Sequence, residues 1–374
     1  MLENRSTGAK SPSKSKPNIL ILLTDDQSFN TINALGNKEV STPNIDKLVS
    51  NGFTFTHAHI MGSFSGAVCM PSRAMLMTGQ YLQKLDKVQG AIGENIKTMP
   101  QLLKESGYTT FFTGKWHNQK ASFFKSFTNG ENIFMGGMSN HLKVPLYSFD
   151  PSGIYPEKNK FFKDKFSSVL FKEAAVNFLR QYDEIKPFFA CVSFTSPHDP
   201  RMAPDDYQKK YNPEAISLPI NFMTKHNFNN GELIIRDENL LPFPRTEEAV
   251  KEEIAAYYAM ISEVDDNIGK ILKVLGETGH ADNTIIIFTS DNGLAVGQHG
   301  LLGKQNLYDH SVRVPLIISG PGIKNGVFSE SLVYLNDIFP TITDLIGIEK
   351  PRTIDGLSLL PILNDPNTSI RNSV

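Results

Sequence analysis

The sequence is poor in the features that define several common classes of protein. Of its 374 residues only two are cysteines, Cys69 and Cys191, too few for a disulfide framework or a cysteine-based structural zinc site. Lysine and arginine total 37 against 39 acidic residues, so the excess positive charge of a general nucleic-acid-binding protein is missing. No apolar run reaches the roughly 18 residues that a membrane span needs. We therefore expect neither nucleic acid nor a membrane as a partner.

The remaining composition is that of a globular protein with a substantial core. Hydrophobic residues make up 40% and charged residues 20% of the chain. Residues 1–16 are rich in serine and lysine and have no apolar periodicity, so they predict a disordered lead-in to a domain over 17–374. The same segment has no apolar centre that could serve as a secretory signal. Either an intracellular protein or an incomplete chain fits this start, and the compartment stays open.

The order of apolar patterns predicts an α/β fold. Four continuous apolar runs are typical of strands buried on both faces, as in a parallel sheet: NILILLT from Asn18, PFFACVSFT from Pro187, NTIIIFTSD from Asn283 and VPLIISG from Val314. Helical patterns lie between them, at 42–52, 99–107 and 250–276. This alternation predicts a mainly parallel central sheet flanked by helices. Segments 119–165 and 200–245 read as long loops, which on such a scaffold usually build the site.

Polar side chains follow three of these predicted strands directly. Asp25 and Asp26 follow the first, His198 and Asp199 the second, and Asp291-Asn292 the third. Ligands of open α/β sheets bind beyond the carboxyl ends of the strands, so these groups should converge. Carboxylate and amide oxygens favour Ca²⁺ or Mg²⁺ over zinc, which predicts a site for one hard divalent cation. Asp25 and Asp291 could instead simply cap helices.

The segment CMPSRAMLMTG, residues 69–79, resembles the signature of the type I sulfatases. In that family a C-x-P-S-R motif is read by a maturation enzyme that oxidises the cysteine to formylglycine. Other motifs of the family occur here in the expected order: DDQ at 25–27, GKWH at 114–117, PH at 197–198, DNG at 291–293 and a downstream lysine, Lys304. The resemblance extends from Pro17 to about Leu363. Without it, Cys69 would be read as a small buried apolar residue.

The resemblance implies a fold, a reaction and a set of site residues. It implies an alkaline-phosphatase-like fold and hydrolysis of an organic sulfate monoester, in which the hydrated aldehyde at position 69 attacks sulfur and later expels sulfate. Its implied catalytic residues are Cys69, Arg73, Lys115, His117, His198 and Lys304. Its implied metal ligands, for one Ca²⁺ or Mg²⁺, are Asp25, Asp26, Cys69, Asp291 and Asn292. Within these sets His117 is the base for hemiacetal collapse, and His198, assisted by Lys304, is the acid for the leaving alcohol.

The sequence gives less information about the substrate. The loop at 135–147 and the pair Gln298-His299 occupy positions where family members contact the alcohol. The neutral donors among them suit sugar hydroxyls and predict a glycan or small-molecule sulfate ester as partner: Asn140, His141, Gln298 and His299. The 135–147 loop could equally fold on itself.

Two other functions remain open at this point. Relatives of the same superfold use a C-x-P-S-R nucleophile on phosphonate monoesters or phosphodiesters. Family members also usually continue into a small C-terminal subdomain, whereas this chain stops at Val374, so we expect that subdomain to be truncated. An inactive binding protein is therefore a third possibility.

Overall fold

A mixed, mostly parallel β-sheet forms the centre of the computed structural model, which describes residues 16–85 and 89–374. The predicted disordered lead-in lies outside the described residues except for Lys16. Within the described part the strands of the sheet are β1 Asn18–Thr24, β2 Phe53–His59, β3 Thr109–Lys115, β4 Asn129–Phe134, β5 Phe188–Ser193, β6 Thr284–Ser290, β7 Arg313–Ser319, β8 Val327–Ser329 and β9 Val333–Tyr334. Their spatial order is β4-β3-β5-β1-β6-β7-β2-β8, with β9 also paired to β2.

The strand directions confirm the predicted sheet and correct one detail. The neighbours β4, β3, β5, β1 and β6 are all parallel to one another. The run from Val314, which we predicted to be a parallel strand, forms β7 and is antiparallel to both β6 and β2. Burial of both faces produces a continuous apolar run whatever the strand direction, so the sequence pattern could not distinguish the two cases.

Helices cover both faces of the sheet. They are α1 Pro43–Ser50, α2 Cys69–Thr78, α3 Met99–Glu105, α4 Lys120–Ser126, α5 Ser167–Gln181, α6 Asp205–Gln208, α7 Glu247–Glu277, α8 Asp309–Val312, α9 Ile338–Ile346 and α10 Leu360–Asn364. The three predicted helical patterns are confirmed as α1, α3 and α7. The 119–165 segment is only partly loop, since it contains α4 and strand β4. None of the described helices combines the length and the apolar composition needed to cross a membrane.

The two faces of β1 show why its sequence is apolar throughout. Ile19, Ile21 and Leu23 belong to an apolar cluster shared with α2, α3, α4 and α9. Leu20 and Leu22 point to the opposite face and join a second cluster shared with α1, α5 and α7. Alternate residues of a strand face opposite sides, so a strand between two helical layers needs apolar side chains at every position.

Candidate active site

The carboxyl ends of adjacent strands bring the predicted polar residues to one edge of the sheet. Asp25 and Asp26 follow β1, and Asp291 follows β6, whose Ser290 is the register partner of Thr24. On the other side of β1, β5 leads to His198, and Lys115 is the last residue of β3. The backbone amide of Asp26 donates to Oδ1 of Asp291 over 3.0 Å, which ties the two loops together. This is the edge where α/β sheets bind ligands.

Cys69 begins α2 and points into this cluster. The side chain is buried, and its Sγ lies 3.5 Å from Oδ1 of Asp26 and 3.1 Å from Nζ of Lys304. Ligand atoms of Asp25, Asp26, Cys69 and His198 all lie within 4.8 Å of one another. Burial raises the pKa of the Cys69 thiol well above its ordinary value, so the unmodified residue is a protonated thiol and a poor nucleophile.

Three cations are paired with the three carboxylates of the cluster. Nε of Arg73 lies 2.8 Å from Oδ2 of Asp291, and Nζ of Lys115 lies 2.5 Å from Oδ2 of Asp25. Nζ of Lys304 donates to both carboxylate oxygens of Asp26, over 2.6 and 2.8 Å. These cations fold into the same place as the carboxylates and offset much of their mutual repulsion, so the negative charge of the cluster does not by itself require a metal.

The pKa values of Asp25 and Asp291 are shifted in opposite directions. Burial, followed by the negative charge of Asp291, raises the pKa of Asp25. Burial also acts to raise the pKa of Asp291, but Arg73, Lys115 and Lys304 outweigh it and hold that pKa below its usual range. Asp291 is thus a stable anion, while the charged form of Asp25 is disfavoured until additional positive charge is supplied.

Unpaired oxygens in this cluster fit a hard divalent cation. Oδ1 of Asp25 and Oδ1 of Asn292 are buried and have no hydrogen-bond partner in the described part of the chain. The amide nitrogen of Asn292 donates a hydrogen bond to Oδ1 of Asp26 over 2.7 Å. The amide oxygen of Asn292 is therefore the atom that remains available to a metal ion. Buried polar atoms are rarely left without a partner, and oxygen donors are the ligands that Ca²⁺ and Mg²⁺ prefer. The predicted donor set, with the oxygen that oxidation would place at position 69, is chemically suited to either ion.

Two histidines flank Cys69 from different elements. His117 follows β3 with a positive φ of 53°, and its Nδ1 is buried without a partner in the described structure. A Cβ on Gly137 would lie 2.4 Å from Nε2 of His117, so only glycine permits this approach. His198 places Nε2 at 3.7 Å from Oδ2 of Asp26. Burial lowers the pKa of both histidines, with Lys115 and Lys304 adding to the effect, so both rings favour the neutral form until negative charge enters the cavity.

A cavity of about 330 Å³ opens over this cluster. Cys69, His117, His198 and Lys304 line it on the side of the cluster, and we call these four residues together with the buried Asp25, Asp26, Asp291 and Asn292 its floor. Its wall comes from loops: Gly66, Ala67, Gly137, Met138, Ile235, Arg236, Asp237 and Gln305. The 200–245 segment was expected to help build the site, but nothing in the sequence singled out Arg236 or Asp237 within it.

The four predicted substrate residues lie elsewhere. Asn140 is exposed, whereas His141 is buried with both ring nitrogens hydrogen-bonded inside the protein. Gln298 lines a different cavity, and His299 stacks on Tyr308 with ring centroids 4.2 Å apart. As far as the structure describes the chain, none of the four lines the cavity above Cys69. Their positions in the sequence located the neighbourhood of the site but not the side chains that face it.

Comparison with known proteins agrees with this site. The family model "Sulfatase" matches residues 17–348, so the chain belongs to the sulfatase family. N-acetylglucosamine-6-sulfatase of Homo sapiens is 30% identical over 370 residues, covering 93% of this chain and 64% of that protein. N-acetylglucosamine-6-O-sulfatase of Bacteroides thetaiotaomicron is 28% identical over 412 residues, covering 94% of this chain and 71% of that protein. The chain thus spans slightly less than two thirds of the length of the human relative.

Solved structures confirm the alkaline-phosphatase-like fold that the resemblance implied. A protein solved in complex with its substrate D-glucosamine-2-N,6-O-disulfate superposes with a TM-score of 0.78 at 24% identity, covering 96% of this chain and 82% of that one. The phosphonate monoester hydrolase of Agrobacterium radiobacter superposes equally well, with a TM-score of 0.77 at 23% identity, covering 94% and 78%. Such similar scores for two different reactions indicate the fold and leave the reaction to the site.

Proposed function

We propose that this chain hydrolyses a sulfate monoester of a carbohydrate. In this proposal Cys69 is first oxidised to formylglycine by a maturation enzyme that reads the CMPSR segment. The observation that carries the proposal is the position of Cys69, on the first turn of α2 at the floor of a cavity and among buried carboxylates, cations and histidines. A structural cysteine would need none of these neighbours.

The second requirement is one divalent cation, which we assign as Ca²⁺. Asp25, Asp26, Asp291 and Asn292 would hold it, because two of their oxygens are buried without partners and all four offer oxygen donors. When present, the hydrated aldehyde supplies a hydroxyl nucleophile, and the cation supplies the positive charge that makes this hydroxyl more acidic. Removal of the ion by a calcium chelator should abolish turnover and lower the melting temperature, and added Ca²⁺ should restore both. Full turnover in chelator would contradict the assignment.

The fixed cations of the site stabilise charge that develops on the sulfate. Nε of Arg73 donates to Asp291 over 2.8 Å, and its Nη1 donates to the carbonyl oxygen of Lys115 over 2.7 Å. Arg73 therefore fixes the position of Asp291 relative to the end of β3. Lys115 and Lys304 bring ammonium groups to the two sides of the Asp25-Asp26 pair. Donors held in place before the reaction begins cost no reorganisation when charge appears, which is their main contribution to catalysis.

Proton transfers fall to the histidines and Lys304. In this proposal His117 accepts a proton from the residue at position 69, and the support for this role is that Cys69 and His117 line the same cavity. In this proposal Lys304, and His198 once its ring has taken up a second proton, deliver a proton to the leaving oxygen; both side chains lie beside Asp26. Such transfers typically contribute about 10²- to 10⁴-fold in rate.

The wall of the cavity supports a carbohydrate as the alcohol portion. It combines apolar surface from Met138 and Ile235 with the polar side chains of Arg236, Asp237 and Gln305. This mixture suits a ring that presents both C–H faces and hydroxyl groups. The names of the human and Bacteroides relatives, which specify N-acetylglucosamine 6-sulfate, point in the same direction.

The test compares three substrates on one preparation. The chain is produced together with a formylglycine-generating enzyme and assayed with N-acetylglucosamine 6-sulfate, nitrophenyl sulfate and nitrophenyl phenylphosphonate. We expect sulfate release from both sulfate esters and a much lower kcat/KM on the phosphonate. A higher kcat/KM on the phosphonate would instead identify a phosphonate monoester hydrolase. No turnover of any ester by protein with confirmed aldehyde would indicate a protein that has kept the fold without the chemistry.

A further inference from the structure

The ring and the backbone of His198 are each held by residues to which the proposed mechanism gives no role. Its Nδ1 lies 2.8 Å from the carbonyl oxygen of Asp199 and 3.2 Å from Oδ1 of the same residue. A carbonyl oxygen can only accept a hydrogen bond, so Nδ1 carries a hydrogen. Nε2 is then the nitrogen that faces Asp26 and the cavity. It carries a proton for the leaving oxygen only in the imidazolium form, so the ring must take up a second proton before the alcohol leaves.

Arg236 fixes the carboxylate that contacts this ring. Its two terminal nitrogens donate to the two oxygens of Asp199, one of them over 3.0 Å, and its Nη2 also donates to Asp237 over 2.5 Å. A bidentate arginine–carboxylate pair restrains orientation as well as distance. Arg236 lines the cavity, so the wall that faces the alcohol is joined to His198 through a single carboxylate.

His141 holds the backbone of His198 from the protein interior. Its Nε2 lies 2.9 Å from the carbonyl oxygen of His198 and must therefore donate. Its Nδ1 is then an acceptor, and the hydroxyl of Ser167 lies 2.9 Å away to supply the hydrogen. That hydroxyl in turn accepts from Thr195 over 2.8 Å. Burial lowers the pKa of His141 to about 4, which keeps the ring neutral and the arrangement of hydrogens fixed.

From these contacts we propose that His141, Asp199 and Arg236 are positioning residues for His198. Together they hold the ring so that Nε2 faces the oxygen of the leaving alcohol. The inference rests on the proposed function, because it requires a leaving group that needs a proton. It gives His141 a role that differs from the substrate contact expected from the sequence.

The proposal predicts losses that depend on the leaving group. Misplacing a catalytic group by about 1 Å can cost on the order of 100-fold in rate. We expect His141→Leu and Arg236→Gln to lower kcat on N-acetylglucosamine 6-sulfate by roughly 10- to 100-fold, and kcat on nitrophenyl sulfate by less than about threefold. A nitrophenolate leaves without a proton, so loss of the acid matters little for it. His141→Gln keeps an N–H donor and should recover most of the activity on the sugar sulfate.

The measurements separate this proposal from its alternatives. The aldehyde content at position 69 and the melting temperature are determined for each variant, and Arg180→Gln, which breaks an exposed ion pair to Glu277, serves as the matched control. Equal losses on the two esters would overturn the positioning role, as would an Arg236→Gln change confined to KM or a His141→Gln protein no better than His141→Leu. If the parent protein hydrolyses neither ester, the proposed function itself fails, and the inference fails with it.

Discussion

The floor and the wall of the cavity are built on different principles. The floor follows directly from the sheet: Asp25 and Asp291 are fully buried at the ends of adjacent strands whose register is continuous. The wall comes from loops, and its side chains are much more open, with 50% of Met138 and 44% of the Arg236 side chain exposed. A rigid floor suits chemistry common to many esters, whereas an open loop wall suits discrimination between alcohols.

This difference predicts where a mutation acts. Changes on the floor should lower kcat for every ester, since they remove charge or the nucleophile. Changes to wall residues other than Arg236 should act on KM and only for substrates large enough to reach the wall. The contacts around His198 join the two regions, and changes there should depend on the acidity of the leaving alcohol.

Cys69→Ala should have the largest effect, because it removes the precursor of the nucleophile. We expect activity on both sulfate esters at the background of the assay, and severe impairment in Cys69→Ser, whose single hydroxyl would form a stable sulfate ester. Cys191→Ala is the matched control. Cys191 is buried in β5 within the apolar core and does not line the cavity, so its loss should lower the melting temperature and leave kcat near that of the parent. Full activity in Cys69→Ala would refute the role of the residue.

Asp291→Asn should have the next largest effect. The change removes the ion-pair partner of Arg73 and one ligand of the proposed cation, so we expect kcat to fall by about 10²- to 10³-fold on both esters. An exposed aspartate just before β6, Asp282, supplies the control variant Asp282→Asn. A loss below tenfold, in protein with the parental aldehyde content, would show that the floor tolerates the missing charge.

His198→Ala should lower activity on the sugar sulfate much more than activity on nitrophenyl sulfate. Departure of a sugar alcohol needs a proton and departure of nitrophenolate does not, so kcat/KM should fall much further for the sugar sulfate. Lys304 lies on the same side of Asp26 and leaves some activity through its own proton. If both esters lose the same factor, His198 binds sulfate or holds structure, and the role of acid passes to Lys304.

The smallest effects should come from a pair of glutamines. Gln305 lines the cavity and donates to Asp237 over 2.9 Å, so Gln305→Ala should raise KM for the sugar sulfate a few-fold and leave kcat nearly unchanged. Gln298, a substrate residue according to the sequence, lines another cavity, and Gln298→Ala should leave KM unchanged within about twofold. A larger rise in KM from Gln298→Ala than from Gln305→Ala would show that the sugar binds in the cavity lined by Gln298 and not in the cavity above Cys69.

The floor could be predicted from the sequence because its rules are local. A continuous apolar run followed by Asp25-Asp26 or Asp291-Asn292 is enough to place oxygen donors at a strand end. Parallel strands have their carboxyl ends at the same edge of the sheet, so these donors lie close together. The fold class followed from the order of the apolar runs and helical patterns, and the family from the C-x-P-S-R segment and its accompanying motifs.

The wall could not be predicted because its contacts depend on distant loops. Arg236 reaches the cavity through pairs with Asp199 and Asp237 inside a segment that has no apolar periodicity to fix its path. His141 shows the opposite error: a polar residue in a site loop looked like a substrate contact, but its ring is buried behind His198. Whether a histidine is buried depends on tertiary packing, which a local sequence pattern does not record.

The central claim is that the oxidised side chain at position 69 performs the chemistry. The most direct measurement is sulfate release from N-acetylglucosamine 6-sulfate by preparations that differ only in the fraction of aldehyde at position 69, determined by peptide mass spectrometry. We expect turnover per mole of protein to rise in proportion to the aldehyde fraction and to extrapolate to zero in its absence. Turnover independent of that fraction, or substantial turnover by protein that retains the thiol, would contradict the assignment.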